Sequence, residues 1–426
     1  MRSGGLLVSL LIVTLGYSQS PSGITWNDKE YLALPLKATY GVAQPSLPAR
    51  HSLKPYCPRV VNQTGLATSA VWASIWYGQS LAQAASCLES ASVKITNNAF
   101  SPLFTYRSIN TNSNCDTPIS LVSVLNHLVT SGTPRFSEFN DLCPASIPAA
   151  IQSMADKNKI DGYIKLFNPF DTQPLKTQAI KKALHNNHPV VIGMIAPPSL
   201  SLADQFWQPR ERPDTTFAAQ ALCVVGYDDQ KFGGAFEVVN QWGKSWGENG
   251  FTWIRYVDMA QFMRYGFELI NSSKCIPLPK ATVVLYGDDG KVIDQLAIAN
   301  NKHQIKKPLK IGTRFRVTIR ANSGMFTYFV IKERDATLLF PTHQVHPYIT
   351  QSLTLPGNES YYQLEGVPQI NELYFITSPH QIDTMWLKDQ IEDNLLFRKI
   401  DHPPTSAVAP APEENLQVLL IELEQF

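Results

Sequence analysis

The stretch that decides the fold is VNQWGKSWGENGF, residues 239–251. It contains Trp-Gly steps at 242–243 and 246–247 and a Gly-aromatic step at 250–251, which leads into the apolar run FTWIRYV. Paired Trp-Gly steps followed by a Gly-aromatic strand rarely arise by chance. The upstream segments LCVVGYDD and AFEVVNQWG have the composition of two further strands joined by a glycine-containing loop. Together these segments predict an antiparallel β unit.

Helical patterns precede this β unit. The stretch NQTGLATSAVWASIW (62–76) passes from polar into small and apolar residues. It predicts a buried helix from Ser69 to about Ser86, with Thr68 at the N-cap. TPISLVSVLNHLVTSG (117–132) has helical spacing, and TQAIKKALHNN predicts a third helix that ends before the strand VVIGMI. Helices first and a sheet later predict an α+β domain with two lobes.

Strand patterns dominate the C-terminal part of the chain. Segments such as RFRVTIRAN, MFTYFVIKE and ELYFITS alternate between apolar and polar residues and are bounded by turn residues such as Asp-Gly. They predict an all-β, sandwich-like domain over 280–400. A Pro/Ala-rich linker and the apolar segment LQVLLIELE occupy 401–426. We expect that last segment to be either a returning strand or a docking segment.

The N-terminus has the pattern of a secretory signal peptide. Arg2 precedes the apolar run 6–15 and a small-residue exit, which predicts a signal over 1–18. The run is too short for a stable transmembrane helix. We therefore expect an exported protein, in a periplasm or outside the cell, with no integral membrane segment. Residues 19–56 are punctuated by proline and predict an extended arm before a first domain over 57–275.

The composition argues against nucleic acid as a partner and does not determine how the cysteines pair. The formal net charge of the 426 residues is +1, which implies no general attraction to nucleic acid. Six cysteines in an exported chain make disulfides plausible, with fifteen pairings possible. The best candidates for disulfide bonds lie in loop-like sequence contexts and are Cys57, Cys115 and Cys143. Cys223 lies in an apolar strand and is predicted to be a buried free thiol. No CxxC spacing or histidine cluster indicates a metal, and we expect neither metal nor cofactor.

Three blocks of this sequence resemble the papain-like cysteine peptidases. NQTGLATSAVWA resembles the block of Asn-Gln, a Gly-rich turn, the nucleophilic cysteine and an aromatic-containing helix. AQALCVVGYDD resembles the block of the catalytic histidine, and VNQWGKSWGENGF resembles the NSWG-x-x-WG-x-x-GY block of the orienting asparagine. The resemblance covers about 57–270. It implies a papain-like domain with a helical lobe and an antiparallel β lobe. The β region after it resembles domains that follow bacterial papain-like domains.

Some residues at the family's functional positions match the family pattern, and others depart from it. Gln63 stands at the glutamine of the oxyanion hole, Asn240 at the asparagine that orients the imidazole, and Trp242 at the ring that shields it. Ser69 stands at the nucleophile and Gln220 at the general base, and both depart from the family pattern. From position 69 to position 220 is 151 residues, close to the ~130–150 that separate such a nucleophile from its partners.

These two departures change the chemistry. Papain-like catalysis uses a thiolate, which forms because a neighbouring imidazole and a helix N-terminus lower the thiol pKa below about 8.5. A serine hydroxyl does not ionise there and needs a base during attack. Gln220 is a neutral amide and supplies none. In a serine-triad enzyme, loss of the nucleophile or base costs on the order of 10⁶ in turnover.

Structural interpretations remain open for each of these residues. Gln63 can serve a tight turn, Asn240 and Trp242 can hold two strands together, and Ser69 can be an ordinary first-turn residue. Four histidines near or in the first domain are interpreted as surface or capping residues rather than substitute bases, because none has the family's flanking pattern: His51, His127, His185 and His188.

The sequence therefore predicts an exported papain-fold pseudopeptidase. It would act by binding a peptide or protein partner, or as a scaffold, since backbone pairing along a cleft requires no nucleophile. Two alternatives remain: an active hydrolase that uses Ser69 with a displaced base, and a purely structural part of a cell-envelope assembly. The arm at 19–56 is short and broken by prolines, so we expect no equivalent of the family's inhibitory propeptide.

Overall fold

The computed structural model describes residues 23–37, 46–63, 66–110, 116–141, 146–271, 280–299, 301–321, 324–333, 335–393, 396 and 416–426. The predicted signal peptide, most of the Pro/Ala linker, Cys115, Cys143 and Cys275 lie outside the described residues. Within these ranges, no helix is long and apolar enough to cross a membrane.

The unit formed by the N-terminal arm and the first domain combines helices with one mixed, mainly antiparallel sheet. Its helices are α1 (Asp28–Ala33), α2 (Ser69–Val71), α3 (Ser80–Ser86), α4 (Ser92–Asn97), α5 (Pro102–Ile109), α6 (Leu121–Thr130), α7 (Ala149–Ala155), α8 (Gln173–His185), α9 (Pro198–Ser201) and α10 (Tyr256–Phe262). Its strands are β1 (Leu36–Lys37), β2 (Arg50–Ser52), β3 (Gly162–Lys165), β4 (Val190–Ala196), β5 (Phe206–Trp207), β6 (Ala218–Asp228), β7 (Ala235–Val239), β8 (Phe251–Arg255) and β9 (Met263–Ile270).

The central helix begins at Ser69, as predicted. It continues from α2 through a π-helical segment, Trp72–Gln79, into α3, and it is buried along most of its length. Thr68 occupies the N-cap position, but its side chain makes no capping hydrogen bond. Small and apolar residues on every face allow the helix to pack against β4 and β6 on one side and against α5 and α6 on the other.

Two other helices differ from their predicted bounds for local reasons. The helix predicted over 117–132 begins at Leu121, because Ser120 caps it by accepting a hydrogen bond from Val122 N at 3.2 Å. The third helix begins at Gln173, earlier than the segment that predicted it. A proline in its first turn is tolerated there, since the missing N–H has no intrahelical acceptor at that position.

The C-terminal region is strand-rich and forms two packed sheets. Its strands are β10 (Ala281–Gly287), β11 (Gln295–Ala299), β12 (Lys302–Ile305), β13 (Arg314–Ala321), β14 (Met325–Lys332), β15 (Ala336–Phe340), β16 (Val345–His346), β17 (Tyr348–Ile349), β18 (Ser352–Leu355), β19 (Tyr362–Gln363), β20 (Gln369–Ser378) and β21 (Gln417–Gln425). One sheet has the order β10-β13-β18 and the other the order β11-β12-β21-β20-β14-β15. Their facing sides form a sandwich core that includes Val317, Phe329 and Ile421.

The apolar C-terminal segment is a returning strand. β21 lies between β12, to which it is parallel, and β20, to which it is antiparallel over nine residue pairs. The sequence did not indicate the helix α11 (Thr384–Glu392), which packs against β14 and β15. Asp383 caps this helix by accepting hydrogen bonds from the N–H groups of Met385 and Trp386.

The two regions share a sheet. The strand order of the large sheet is β16-β1-β3-β9-β4-β6-β7-β8-β5, with β2 paired to β6. β16 belongs to the C-terminal region and β1 to the N-terminal arm, so three parts of the chain meet at this edge. A shared apolar cluster joins Ile164 and Ile270 of the first domain to Tyr328 and Ile376 of the C-terminal region.

The cysteine predictions are corrected at one position. Cys57 is a buried free thiol that follows a 3₁₀ turn, so its loop-like sequence context was misleading and the prediction of a disulfide there is wrong. Cys223 is a buried free thiol in β6, as predicted. Cys87 is disulfide-bonded. Burial raises the pKa of both free thiols, which keeps them protonated near neutral pH.

Candidate functional site

Ser69 lies at the start of the central helix and is fully buried. Its Oγ accepts a hydrogen bond from the backbone N–H of Ala221 in β6, at 3.1 Å. Among the described residues, no histidine hydrogen-bonds this hydroxyl. The helix N-terminus would favour an anion here, but a serine hydroxyl without a base does not ionise near neutral pH.

Gln220 and Asn240 lie side by side near the N-terminus of the central helix. Gln220 is the next residue along β6 before Ala221, and its Nε2 donates a hydrogen bond to Asn240 Oδ1 at 3.2 Å. The same Oδ1 accepts a second hydrogen bond from Gln241 N at 2.8 Å. Both side chains are buried, at 1% and 0% exposure. Gln220 thus pairs with Asn240 through a neutral amide, which takes up no proton near neutral pH.

The Trp-Gly steps form the loop that supports Asn240. Trp242 and Trp246 pack edge to face with ring centroids 5.8 Å apart. Gly243 has a φ of +86° and its N–H donates to Val61 O at 3.0 Å, so the loop turns tightly toward the segment before the helix. Trp242 also forms an isolated bridge with Asn62.

Gln63 is buried close to Ser69 in sequence and is tied to its own turn. Its Nε2 donates to Leu66 O at 2.9 Å, and its backbone N–H donates to Gln241 O at 2.8 Å. These bonds fit the turn interpretation of this glutamine. They also join the Gln63 segment to the loop that follows Asn240.

The N-terminal arm covers Ser69. Gly23 N donates to Ala219 O at 2.8 Å, and Gly23 O accepts from Ala70 N at 3.3 Å. Two residues later, Thr25 N donates to Ile119 O at 3.2 Å, beside a parallel bridge between Ile24 and Ile119. A Cβ atom on Gly23 would overlap Ser69 Oγ, so only glycine fits at this point. We call the space between Ile119 and Ala219 over Ser69 the cleft.

The floor of the cleft is shaped for the arm. Gly193 in β4 lies beneath it, and a Cβ there would come within 3.0 Å of Ile24 Cδ1 and 3.2 Å of Trp26 Cζ3. The segment over Ser69 is thus a short piece of chain and not a long helical propeptide, although it lies in the cleft. The arm docks as a short extended segment followed by α1, and that requires neither a long chain nor helical periodicity.

Tyr31 anchors the arm in the first domain. Its side chain is fully buried in α1, and its ring stacks on Tyr265 with centroids 4.1 Å apart. The hydroxyl donates to Phe167 O at 2.7 Å and accepts from Gly266 N at 3.0 Å. Sequence reasoning missed this residue. The available signal was a tyrosine and a tryptophan close together in a Pro-rich segment.

The four histidines of this region contact residues other than Ser69. His51 Nε2 is 3.1 Å from Asn187 Oδ1, and His188 Nδ1 is 2.7 Å from Glu268 Oε1. His127 lies in α6, where burial lowers its pKa and disfavours the imidazolium. His185 is in the last turn of α8, with its ring 5.8 Å from that of His51. In the described part of the chain, no group of three or more His, Cys, Asp or Glu residues is placed to hold a metal ion.

Part of this region also matches a known protein family in sequence. Residues 126–266 match the model of the papain family cysteine proteases. This region is papain-like. The match includes Gln220 and Asn240 and begins after Gln63 and Ser69. Together with the helical and antiparallel β lobes, it confirms the resemblance and the predicted fold class.

Three solved structures that resemble part of this chain are named as a cysteine protease or as procathepsins. Xylellain, a cysteine protease from Xylella fastidiosa, is 20% identical over 60% of this chain and 98% of its own, with a TM-score of 0.47. Procathepsin L2 from the midgut of Tenebrio molitor larvae is 13% identical over 61% and 81%, with a TM-score of 0.48. Procathepsin B S9 from Trypanosoma congolense is 16% identical over 61% and 90%, with a TM-score of 0.47. The comparison with curated proteins finds no match.

Proposed function

We propose that the protein is an exported papain-like pseudopeptidase that acts by binding a peptide or protein partner or as a scaffold. The observation that carries the proposal is the Gln220–Asn240 hydrogen bond. An amide fills the position where papain-like chemistry needs a base, so the hydroxyl of Ser69 has no proton acceptor beside it. Export is proposed from the signal-like residues 1–18, to a periplasm or the cell surface.

A peptidase assay tests this proposal directly. The purified full-length protein and its Ser69→Ala variant are incubated with a diverse peptide mixture, and products are measured by mass spectrometry. We expect both proteins to give the background rate. Cleavage by the wild type that Ser69→Ala abolishes would support the hydrolase alternative and overturn the proposal.

A purely structural role in a cell-envelope assembly is the second candidate. It is favoured by the arm, which occupies the cleft where a peptide would pair. Co-purification from an exported-protein extract separates the two. A stable stoichiometric complex that forms whether or not the cleft is open favours assembly, whereas capture that requires an open cleft favours peptide binding.

A further inference from the structure

The arm that covers Ser69 continues into the contact between the two regions. α1 ends at Ala33, and β1 begins three residues later at Leu36. β1 then pairs in parallel with β3 of the first domain and with β16 of the C-terminal region. Leu36 N donates to Gln344 O at 3.0 Å. α1, which Tyr31 anchors in the first domain, therefore connects β1 directly to the segment over the cleft.

A buried ion pair holds β1 between the two regions. Lys37 Nζ lies 2.8 Å from Glu268 Oε2, and the carboxylate side chain has no solvent exposure. The ammonium group is also 5.8 Å from the centroid of the Tyr348 ring, which belongs to the C-terminal region. Removing one partner of a buried ion pair leaves an uncompensated charge and is costly. Lys37 therefore ties the arm to both regions at once.

A second contact joins the regions without involving the arm. His380 Nδ1 pairs with the Asp161 carboxylate, and Gln381 N donates to Asp161 O at 2.9 Å. Beside them, the ring of Phe326 packs directly over Gly162. The His380 side chain is 41% exposed, so its replacement leaves no cavity, but it removes an ion-pair partner of the Asp161 carboxylate, whose side chain is 4% exposed.

We propose that the C-terminal region acts as a latch that keeps the arm in the cleft. When β16 is docked beside β1, the arm covers Ser69. When the C-terminal region loosens, β1 loses one of its two neighbours and the arm leaves. The opened cleft then takes an extended peptide that resembles the arm, with glycine against Ser69 and an aliphatic side chain over Gly193. The inference rests on the proposed function only in treating the cleft as a binding groove.

Thiol labelling measures opening of the cleft. Ser69→Cys places a reactive group under Gly23, and its alkylation rate is followed by peptide mapping, with the parent chain as background. His380→Ala and Lys37→Met, each added to Ser69→Cys, are expected to raise the rate at least tenfold. The matched control is Lys54→Met, which breaks the Lys54–Glu237 pair (2.6 Å) within the first domain and should leave the rate unchanged.

Circular dichroism verifies that each variant is folded. His380→Ala lies outside the arm and the cleft, so it still decides the matter if Lys37→Met does not fold. An unchanged labelling rate in folded His380→Ala overturns the latch. Because the readout is alkylation, this result is independent of the peptidase assay with Ser69 in place.

A peptide measures the ligand preference of the opened cleft. The decapeptide SGITWNDKEY, which corresponds to residues 22–31, is expected to slow alkylation in the Ser69→Cys, His380→Ala protein. The same peptide carrying Gly23→Val should give no protection, since a side chain there overlaps the group at position 69. Equal protection by both peptides, or by neither, overturns the predicted ligand class.

Discussion

Gln220 donates a hydrogen bond to Asn240 Oδ1 at 3.2 Å, and both side chains are buried. An imidazole N–H at position 220 could make the same contact. We propose that the site keeps the arrangement of papain-like chemistry without its two reactive groups. This relationship makes the chemistry testable by restoring those groups.

The double variant Ser69→Cys, Gln220→His tests the alignment of the two positions. An imidazole beside the introduced thiol stabilises the thiolate, so the pH midpoint of thiol alkylation should fall at least about one unit below that of Ser69→Cys alone. The measurement is the alkylation rate between pH 5 and pH 9. Identical midpoints in the two proteins would mean that position 220 does not face position 69.

Gly23 and Ser69 should be energetically coupled. Gly23→Ala introduces a Cβ that overlaps Ser69 Oγ, so we expect a loss of about 1–3 kcal/mol in unfolding free energy. Ser69→Gly removes the obstructing atoms and should restore part of that loss. Denaturant unfolding of the four proteins in the cycle gives the coupling energy. Strict additivity would contradict contact between the arm and Ser69.

The sequence predicted the parts of this site whose signals are local. The antiparallel β unit around the Trp-Gly steps, the start of the helix at Ser69 and the strand VVIGMI depend on neighbouring residues. The structure contains all three. The resemblance placed Gln220 at the position of the general base, and the structure places it in β6, next to the residue that hydrogen-bonds Ser69. The domain boundaries and the roles of the four site residues remain predictions.

The remaining features could not be predicted because they depend on contacts between residues that are distant in sequence. The short segment of the arm that lies in the cleft takes its shape from the cleft walls, Ile119 and Ala219, which are distant from it in sequence. Likewise, nothing near Leu36 indicates that β16 pairs with it. Cys57 was misassigned because a loop-like sequence context does not report burial beneath other elements.

Tyr31 should contribute strongly to holding the arm. Tyr31→Phe keeps the ring but removes a hydroxyl that bonds both Phe167 O and Gly266 N. Leaving buried backbone groups without partners costs about 1–3 kcal/mol. We expect a lower unfolding free energy in denaturant titrations, with Tyr56→Phe at a half-buried tyrosine of the same domain as control. Equal stability of the two variants would argue against an anchoring role.

His346 should make stability fall in mild acid. This residue of β16 is buried near the Lys37–Glu268 pair, and burial lowers its pKa from 6.5 to about 3, against the smaller opposing effect of Glu268. Because the unfolded chain binds a proton that the folded chain excludes between these values, stability is retained above pH 6.5 and lost as pH falls toward 3. From pH 7 to pH 5 this histidine should cost about 2 kcal/mol.

His346→Asn isolates that effect, because it removes the titrating group while the other histidines remain. Glu268 does not interfere in this window, since its pKa is lowered from 4.5 to about 2 despite burial, by Lys37 and His188. We expect the difference in unfolding free energy between pH 7 and pH 5 to shrink in His346→Asn and to persist in His343→Asn, at an exposed histidine of the same region. Equal pH dependence in both variants would place the acid-sensitive group elsewhere than the strand that borders the arm.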